Sequence, residues 1–210
     1  MVRSHSVKDL IQRFPPGIPK LYVWFRTKLI PLPAIDQLLP RKGLILDVGC
    51  GFGVTTLYLA LQSQERKLIG LDLDSKRIAA ARIAGSRLPQ VSFEVQNFLA
   101  NPFFPEGADA ILMVDLLHHV SFPTQEKLLD QCTAQLRKGG VLLLKEIDTR
   151  PRRKFYWNFL HDKLMTGNQK LYFRPSEVFQ QELEQRGFAV RRWPHLHPLY
   201  PHVFLFCTKK

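Results

Sequence analysis

Asp47, Gly49, Gly51 and Gly53 stand at alternate positions in the run L-I-L-D-V-G-C-G-F-G-V-T-T, Leu44 to Thr56. That spacing suits recognition by backbone, because glycines allow positive φ and let the chain approach a ligand closely. The acid two residues before the first glycine then selects which end of a ligand is held. A carboxylate at a strand end receives an ammonium group and repels a pyrophosphate. A dinucleotide fingerprint would also need a small residue at position 54, where this chain has Val54. Proton-transfer candidates lie further along. His118 and His119 follow an apolar run, and imidazole titrates near neutral pH. Glu146 and Asp148 close another such run and could orient a hydroxyl or an amine. Each pair has a structural alternative: packing for the histidines, ion pairing with Arg150, Arg152 and Arg153 for the acids. The block His195 to His202 is broken by prolines and has no acid or cysteine beside it, so no metal site is expected there.

Elements that could position these residues alternate regularly. Apolar runs predict strands at 44–48, 67–72, 91–95, 109–114 and 140–147. Helical spacing predicts helices at 54–63, at 75–86 with Asp74 or Ser75 as N-cap, and at 123–137 with Gly139 past its end. Arg174 to Gly187 reads as a further helix capped by Ser176, and 188–192 and 202–208 as the last two strands. Strands alternating with helices imply a parallel sheet covered on both faces, an α/β fold.

In this order the motifs resemble those of the class I S-adenosylmethionine-dependent methyltransferases. D-V-G-C-G-F-G (Asp47 to Gly53) is similar to that family's first motif, G-L-D-L-D (Gly70 to Asp74) to the second, and V-S-F-E-V-Q-N-F (Val91 to Phe98) to the third. D-A-I-L-M-V-D-L-L-H-H-V (Asp109 to Val120) and L-R-K-G-G-V-L-L-L-K-E-I-D (Leu136 to Asp148) follow as the fourth and fifth. The resemblance implies a Rossmann-like doubly wound sheet of seven strands, mostly parallel, with the last antiparallel. It also implies S-adenosylmethionine as cofactor. Asp47 and the backbone at Gly49 and Gly51 would hold its methionine part, Asp72 its ribose, and Asn97 and Phe98 its adenine, with Cys50, Leu73 and Met113 completing the set. Asn97 stands where the family often has Asp, and can still accept or donate at an amino-purine edge. His118, His119 and Glu146 are the catalytic candidates.

Composition bounds the partners. The 210 residues carry a net charge of +12, unevenly spread: +6 over 1–43, −1 over 44–147, +5 over 148–175 and +2 beyond. We expect a methyltransferase domain at 44–210, with 1–43 as a basic, aromatic cap and 148–175 as a basic, aromatic lid. A positive field around a substrate entrance raises the local concentration of anions. The expected acceptor is therefore a small acidic, aromatic, lipid-like or carrier-tethered molecule, methylated on oxygen or carbon. The alternatives are an RNA methyltransferase using the basic flanks, with nucleic acid the weaker candidate, or a non-catalytic partner-binding module on a cofactor fold. The [DN]-P-P-[YFW] motif of base amino-group methylation is missing from M-V-D-L at 113–116, and cytosine C5 chemistry needs a nucleophilic cysteine, typically next to a proline, whereas Cys132 falls in the middle of an expected helix. Three scattered cysteines suggest neither disulfides nor zinc. No apolar run reaches the about 18 residues of a membrane span, so a cytoplasmic protein is expected. Pro15 to Pro33 leaves two readings open. On a helix Leu21, Trp24, Phe25, Lys28 and Leu29 share a side, which either lies on an anionic membrane or packs its aromatics on the domain.

Overall fold

The glycine motif's strand forms where expected. Leu44, Ile45 and Leu46 are consecutive apolar residues suited to a strand covered on both faces, and β1 runs from Gly43 to Val48 with Asp47 near its end. The computed structural model describes residues 6–97, 99, 107–166, 170–194 and 199–210. The further elements are α1 (Val7–Gln12), α2 (Ile18–Leu29), α3 (Leu32–Leu38), α4 (Val54–Gln62), β2 (Arg66–Asp72), α5 (Ser75–Gly85), β3 (Val91–Val95), β4 (Ala108–Val114), α6 (Phe122–Gln135), β5 (Leu136–Ile147), α7 (Arg152–Thr166), α8 (Ser176–Gln185), β6 (Phe188–Pro194) and β7 (His202–Lys209). A 3₁₀ turn, Leu117–His119, follows β4. The seven strands are ordered β3-β2-β1-β4-β5-β7-β6. β1 pairs in parallel with β2 and β4, and β2 with β3, whereas β7 runs antiparallel to both β5 and β6. This is the doubly wound, mostly parallel sheet with an antiparallel last strand. The chain falls into two compact units, divided within β4 between Leu112 and Met113.

In the first unit parallel register sets Asp47 opposite Gly70 and Gly70 opposite Phe93. Phe93 is buried and its ring lies where three glycines leave room. A Cβ on Gly53 would come within 2.5 Å of that ring, one on Gly70 within 2.6 Å, and one on Gly85 within 3.1 Å. Behind α4 sits a buried cation. Arg66 has no exposed surface, and its guanidinium donates to Asp36 Oδ1 at 2.5 Å and to the carbonyls of Leu59, Leu39, Pro40 and Asp36. Those acceptors fasten α3 and the chain after it against α4 and β2.

In the second unit Leu142, Leu144, Leu183, Phe188 and Leu205 are fully buried. Two local expectations are corrected here. The helix predicted at 123–137 ends at Gln135, and β5 begins at Leu136, so Gly139 (φ +74°) lies inside the strand instead of closing a helix. Ser176 does not cap α8: Pro175 is its N-cap. The Ser176 hydroxyl donates instead to Asp148 Oδ2 at 2.5 Å and accepts from Arg192 Nη1 at 2.7 Å, so its oxygen is engaged away from the helix N–H groups. Asp74, one of the two residues expected to cap α5, does so, accepting from the N–H groups of Lys76 and Arg77.

Candidate functional site

The turn after β1 is held by the end of β2. Gly49, Gly51 and Gly53 all take positive φ, +75°, +55° and +73°. This lets the chain double back so that the N–H groups of Gly49 and Cys50 both reach the Leu71 carbonyl, at 2.8 and 2.9 Å. The Gly51 N–H donates to Asp72 Oδ2 at 2.8 Å, and the Asp74 N–H donates to Oδ1 at 2.9 Å. A carboxylate oxygen has two acceptor positions, so each oxygen of Asp72 keeps one for a ligand hydroxyl. Among the described residues a Cβ at Gly51 would meet nothing within 4 Å, so they leave this side of the turn open. Leu73 is 70% exposed between the two acids, an apolar surface beside the carboxylate. Asn97 turns its Oδ1 to the Leu99 N–H at 3.0 Å. Phe98 lies outside the described residues, as do His195 to Pro198.

Asp47 is 2% exposed, and Thr56 Oγ1 donates to its Oδ2 at 2.5 Å. Burial pushes its carboxyl up to about 7, and the charge of Asp72 adds to the rise against the opposing Thr56 bonds. A cation delivered to this carboxylate would relieve that penalty. Burial, with Asp47 and Asp72 nearby, also drives the Cys50 thiol strongly upward, so Cys50 is a neutral neighbour and not a nucleophile. Thr56 was not among the residues singled out from sequence. Its signal is a pair of polar residues, Thr55 and Thr56, in a helix buried at every position from 54 to 61. Tyr22 of α2 was missed as well. Its ring lies 4.9 Å from that of Phe52 in the glycine turn, and the Arg77 guanidinium is 6.0 Å from the same ring.

The second unit carries the proton-transfer candidates. Glu146 is 2% exposed and both oxygens of its carboxylate are bonded. Oε1 accepts the N–H groups of Leu116 and Leu117 at 3.0 and 2.7 Å, and Oε2 lies 2.7 Å from His118 Nδ1. His118 is stacked on Phe173 at 5.2 Å, with the His119 ring 4.2 Å away. Gln125 Nε2 lies within hydrogen-bonding distance of the carbonyls of Leu117, Val120 and Tyr172, and Tyr172 N–H donates to the His118 carbonyl. Asp115 takes φ +55°, a region that costs a non-glycine residue. Lys145 holds it there: its buried ammonium donates to Asp115 Oδ1 at 2.6 Å, while Asp115 N–H donates to the Lys145 carbonyl. Met113 is fully buried within β4. Asp148, weighed as a second acid, is committed to Ser176 and to the Thr149 N–H.

Comparison with known proteins agrees with this geometry. Residues 45–140 match the family described as a methyltransferase domain. The trans-aconitate 2-methyltransferase of Variovorax paradoxus is 33% identical over 112 residues, covering 53% of this chain and 41% of the relative. The ubiquinone biosynthesis O-methyltransferase of Aliivibrio fischeri is 24% identical over 159 residues, covering 69% and 65%. The chain thus spans about two-fifths to two-thirds of the length of these relatives. Methyltransferases of tRNA and ribosomal RNA also occur among the matches. The magnesium protoporphyrin IX methyltransferase of Synechocystis, solved with bound SAH, superposes with a TM-score of 0.66 at 16% identity, over 97% of this chain and 93% of that one, a likeness of fold. Residues 45–140 thus carry a methyltransferase domain, consistent with the class I S-adenosylmethionine-dependent methyltransferase superfamily whose fold the chain shares, and S-adenosylmethionine is the cofactor this indicates.

Proposed function

We propose that the protein transfers a methyl group to a small anionic acceptor, aromatic, lipid-like or carrier-tethered, with a hydroxyl or carboxyl oxygen as the receiving atom and carbon as the alternative. One observation carries the reading: the glycine turn and Asp72 are bonded into a single unit whose open side keeps acceptor positions for a ligand diol. The residues present fit the cofactor. Asp72 would hold the ribose hydroxyls, the Gly49–Gly51 backbone and Asp47 the ammonium-bearing end, and Leu73 and Asn97 the adenine. When bound, S-adenosylmethionine supplies a sulfonium-activated methyl group. What the chain must add is positioning and, for a hydroxyl acceptor, removal of a proton. His118 is the candidate base. Glu146, with both oxygens committed, is read as the group that fixes the ring and its tautomer. The relatives named for O-methylation support the oxygen acceptor, and the basic flanks support an anionic one.

The test is calorimetric titration with S-adenosylmethionine and S-adenosylhomocysteine, then transfer assays on anionic aromatic, lipid-like and carrier-bound acceptors beside tRNA. Both sulfur ligands should bind, Asp72→Ala should lose them, and a small acceptor should be methylated. Exclusive methylation of RNA would overturn the acceptor class. Cofactor binding without transfer to any acceptor would favour the partner-binding module.

A further inference from the structure

We propose that α2 docks the protein on an anionic lipid surface. A surface helix ordinarily turns its apolar stripe toward the core; α2 turns one outward. Leu21 is 67% exposed, Trp24 49% and Phe25 38%, and Lys28 is exposed with them. Positions 21, 24, 25 and 28 lie on one helical face. The side shared by Leu21, Trp24, Phe25, Lys28 and Leu29 thus faces out, apart from Leu29, which is buried with Val23 and Ile30.

Charge decides what fits this face. The helix Ile18–Leu29 contains Lys20, Arg26 and Lys28 and no acidic residue. Lys28 Nζ lies 5.8 Å over the Trp24 ring, an arrangement in which the alkyl stem adds to the apolar patch while the ammonium remains at its edge. A second copy would bring like charges together. Twelve residues also span only about 18 Å, a strip well short of the roughly 800 Å² per partner of a stable interface. A bilayer of anionic lipid meets both requirements: aromatic rings settle at the headgroup level, Leu21 below them, and the cations reach phosphates. Tyr22, on the neighbouring side of the helix, touches Phe52 of the glycine turn, so this surface adjoins the first unit's ligand-binding turn. The proposal does not rest on methyl transfer.

The full chain should co-sediment with vesicles of phosphatidylcholine containing phosphatidylglycerol, and not with phosphatidylcholine alone, and added salt should weaken the binding. Leu21→Gln/Phe25→Gln and Lys20→Gln/Lys28→Gln should each reduce partitioning about tenfold with unchanged circular dichroism. Brominated acyl chains should quench tryptophan fluorescence in the parent, and less so in Trp24→Phe. Failure to bind anionic vesicles overturns the proposal, as does binding indifferent to both double variants. Lipid-free dimerisation abolished by Leu21→Gln/Phe25→Gln would assign the face to a second copy instead.

Discussion

Glu146 and His118 are locked in one orientation, Oε2 at 2.7 Å from Nδ1, because the other oxygen of the same carboxylate is pinned by the backbone N–H groups of Leu116 and Leu117. In Glu146→Gln the amide keeps one acceptor but offers a donor to Nδ1, which drives the ring proton to Nε2. A histidine in that tautomer has no nitrogen left to receive a proton. Transfer to a hydroxyl acceptor should then slow by about 10²-fold or more, with cofactor affinity unchanged by calorimetry. Glu146→Ala also leaves two buried donors without an acceptor, at about 2–4 kcal/mol in urea unfolding.

Asp47 carries the pH dependence of the first unit. Its ordinary value of 3.8 rises to about 7 on folding, so between those values the folded protein binds more protons than the unfolded chain. The contribution of Asp47 to stability is therefore most favourable at low pH in this window and falls as pH rises, by up to about 1.4 kcal/mol per unit, levelling off above about 7. Asp47→Asn should flatten that slope in urea titrations and leave the protein more stable at about pH 8. Under the proposed role the same change weakens S-adenosylmethionine binding. In the parent, binding should release protons below about pH 7, read as a dependence of the observed enthalpy on the buffer.

The long elements were legible because their apolar runs and glycine stops are local signals. β1 to β4, α4 and α5 follow from them, whereas the antiparallel direction of the last strand came from the family resemblance. What was not legible depends on partners distant in the chain. Nothing near Lys145 or Arg66 marks them as fully buried; each is inside because an acid thirty residues away, Asp115 or Asp36, meets it. Ser176 was misread as a cap for a similar reason, its acceptor being Asp148. The same limit applied at the candidate site, where Asp47, Gly51 and Asp72 could be picked out but Thr56 and the bond from Gly51 to Asp72 could not.

Arg66 and Arg41 both bond Asp36, but only one is buried. Arg66→Met should cost about 3–5 kcal/mol, because it strands the carboxylate and several carbonyls away from water. Arg41, its side chain 62% exposed, should cost less than about 1 kcal/mol on truncation to alanine. Equal losses in denaturant titration would refute the assignment of Arg66 as the fastening between α3 and α4.

Gly70→Ala forces a methyl to 2.6 Å from Phe93 and 3.0 Å from Cys50 Sγ, and should destabilise by about 1–3 kcal/mol. Phe93→Leu frees part of that space. The double variant should therefore be less destabilised than the two single losses added together, and strict additivity would show that the ring is not what Gly70 accommodates.

Phe93 also bears on how this chain can drift in sequence. Because one ring occupies the space that three glycines leave open, positions 53, 70, 85 and 93 cannot vary independently. While 93 is aromatic, a side chain gained at 70 is a clash and one gained at 53 is both a clash and a strained backbone. Once 93 shrinks, each of the other positions gains room. Homologues should accordingly divide into two groups at these sites, an aromatic with three glycines or a smaller residue with a filled neighbour, and few sequences should lie between them.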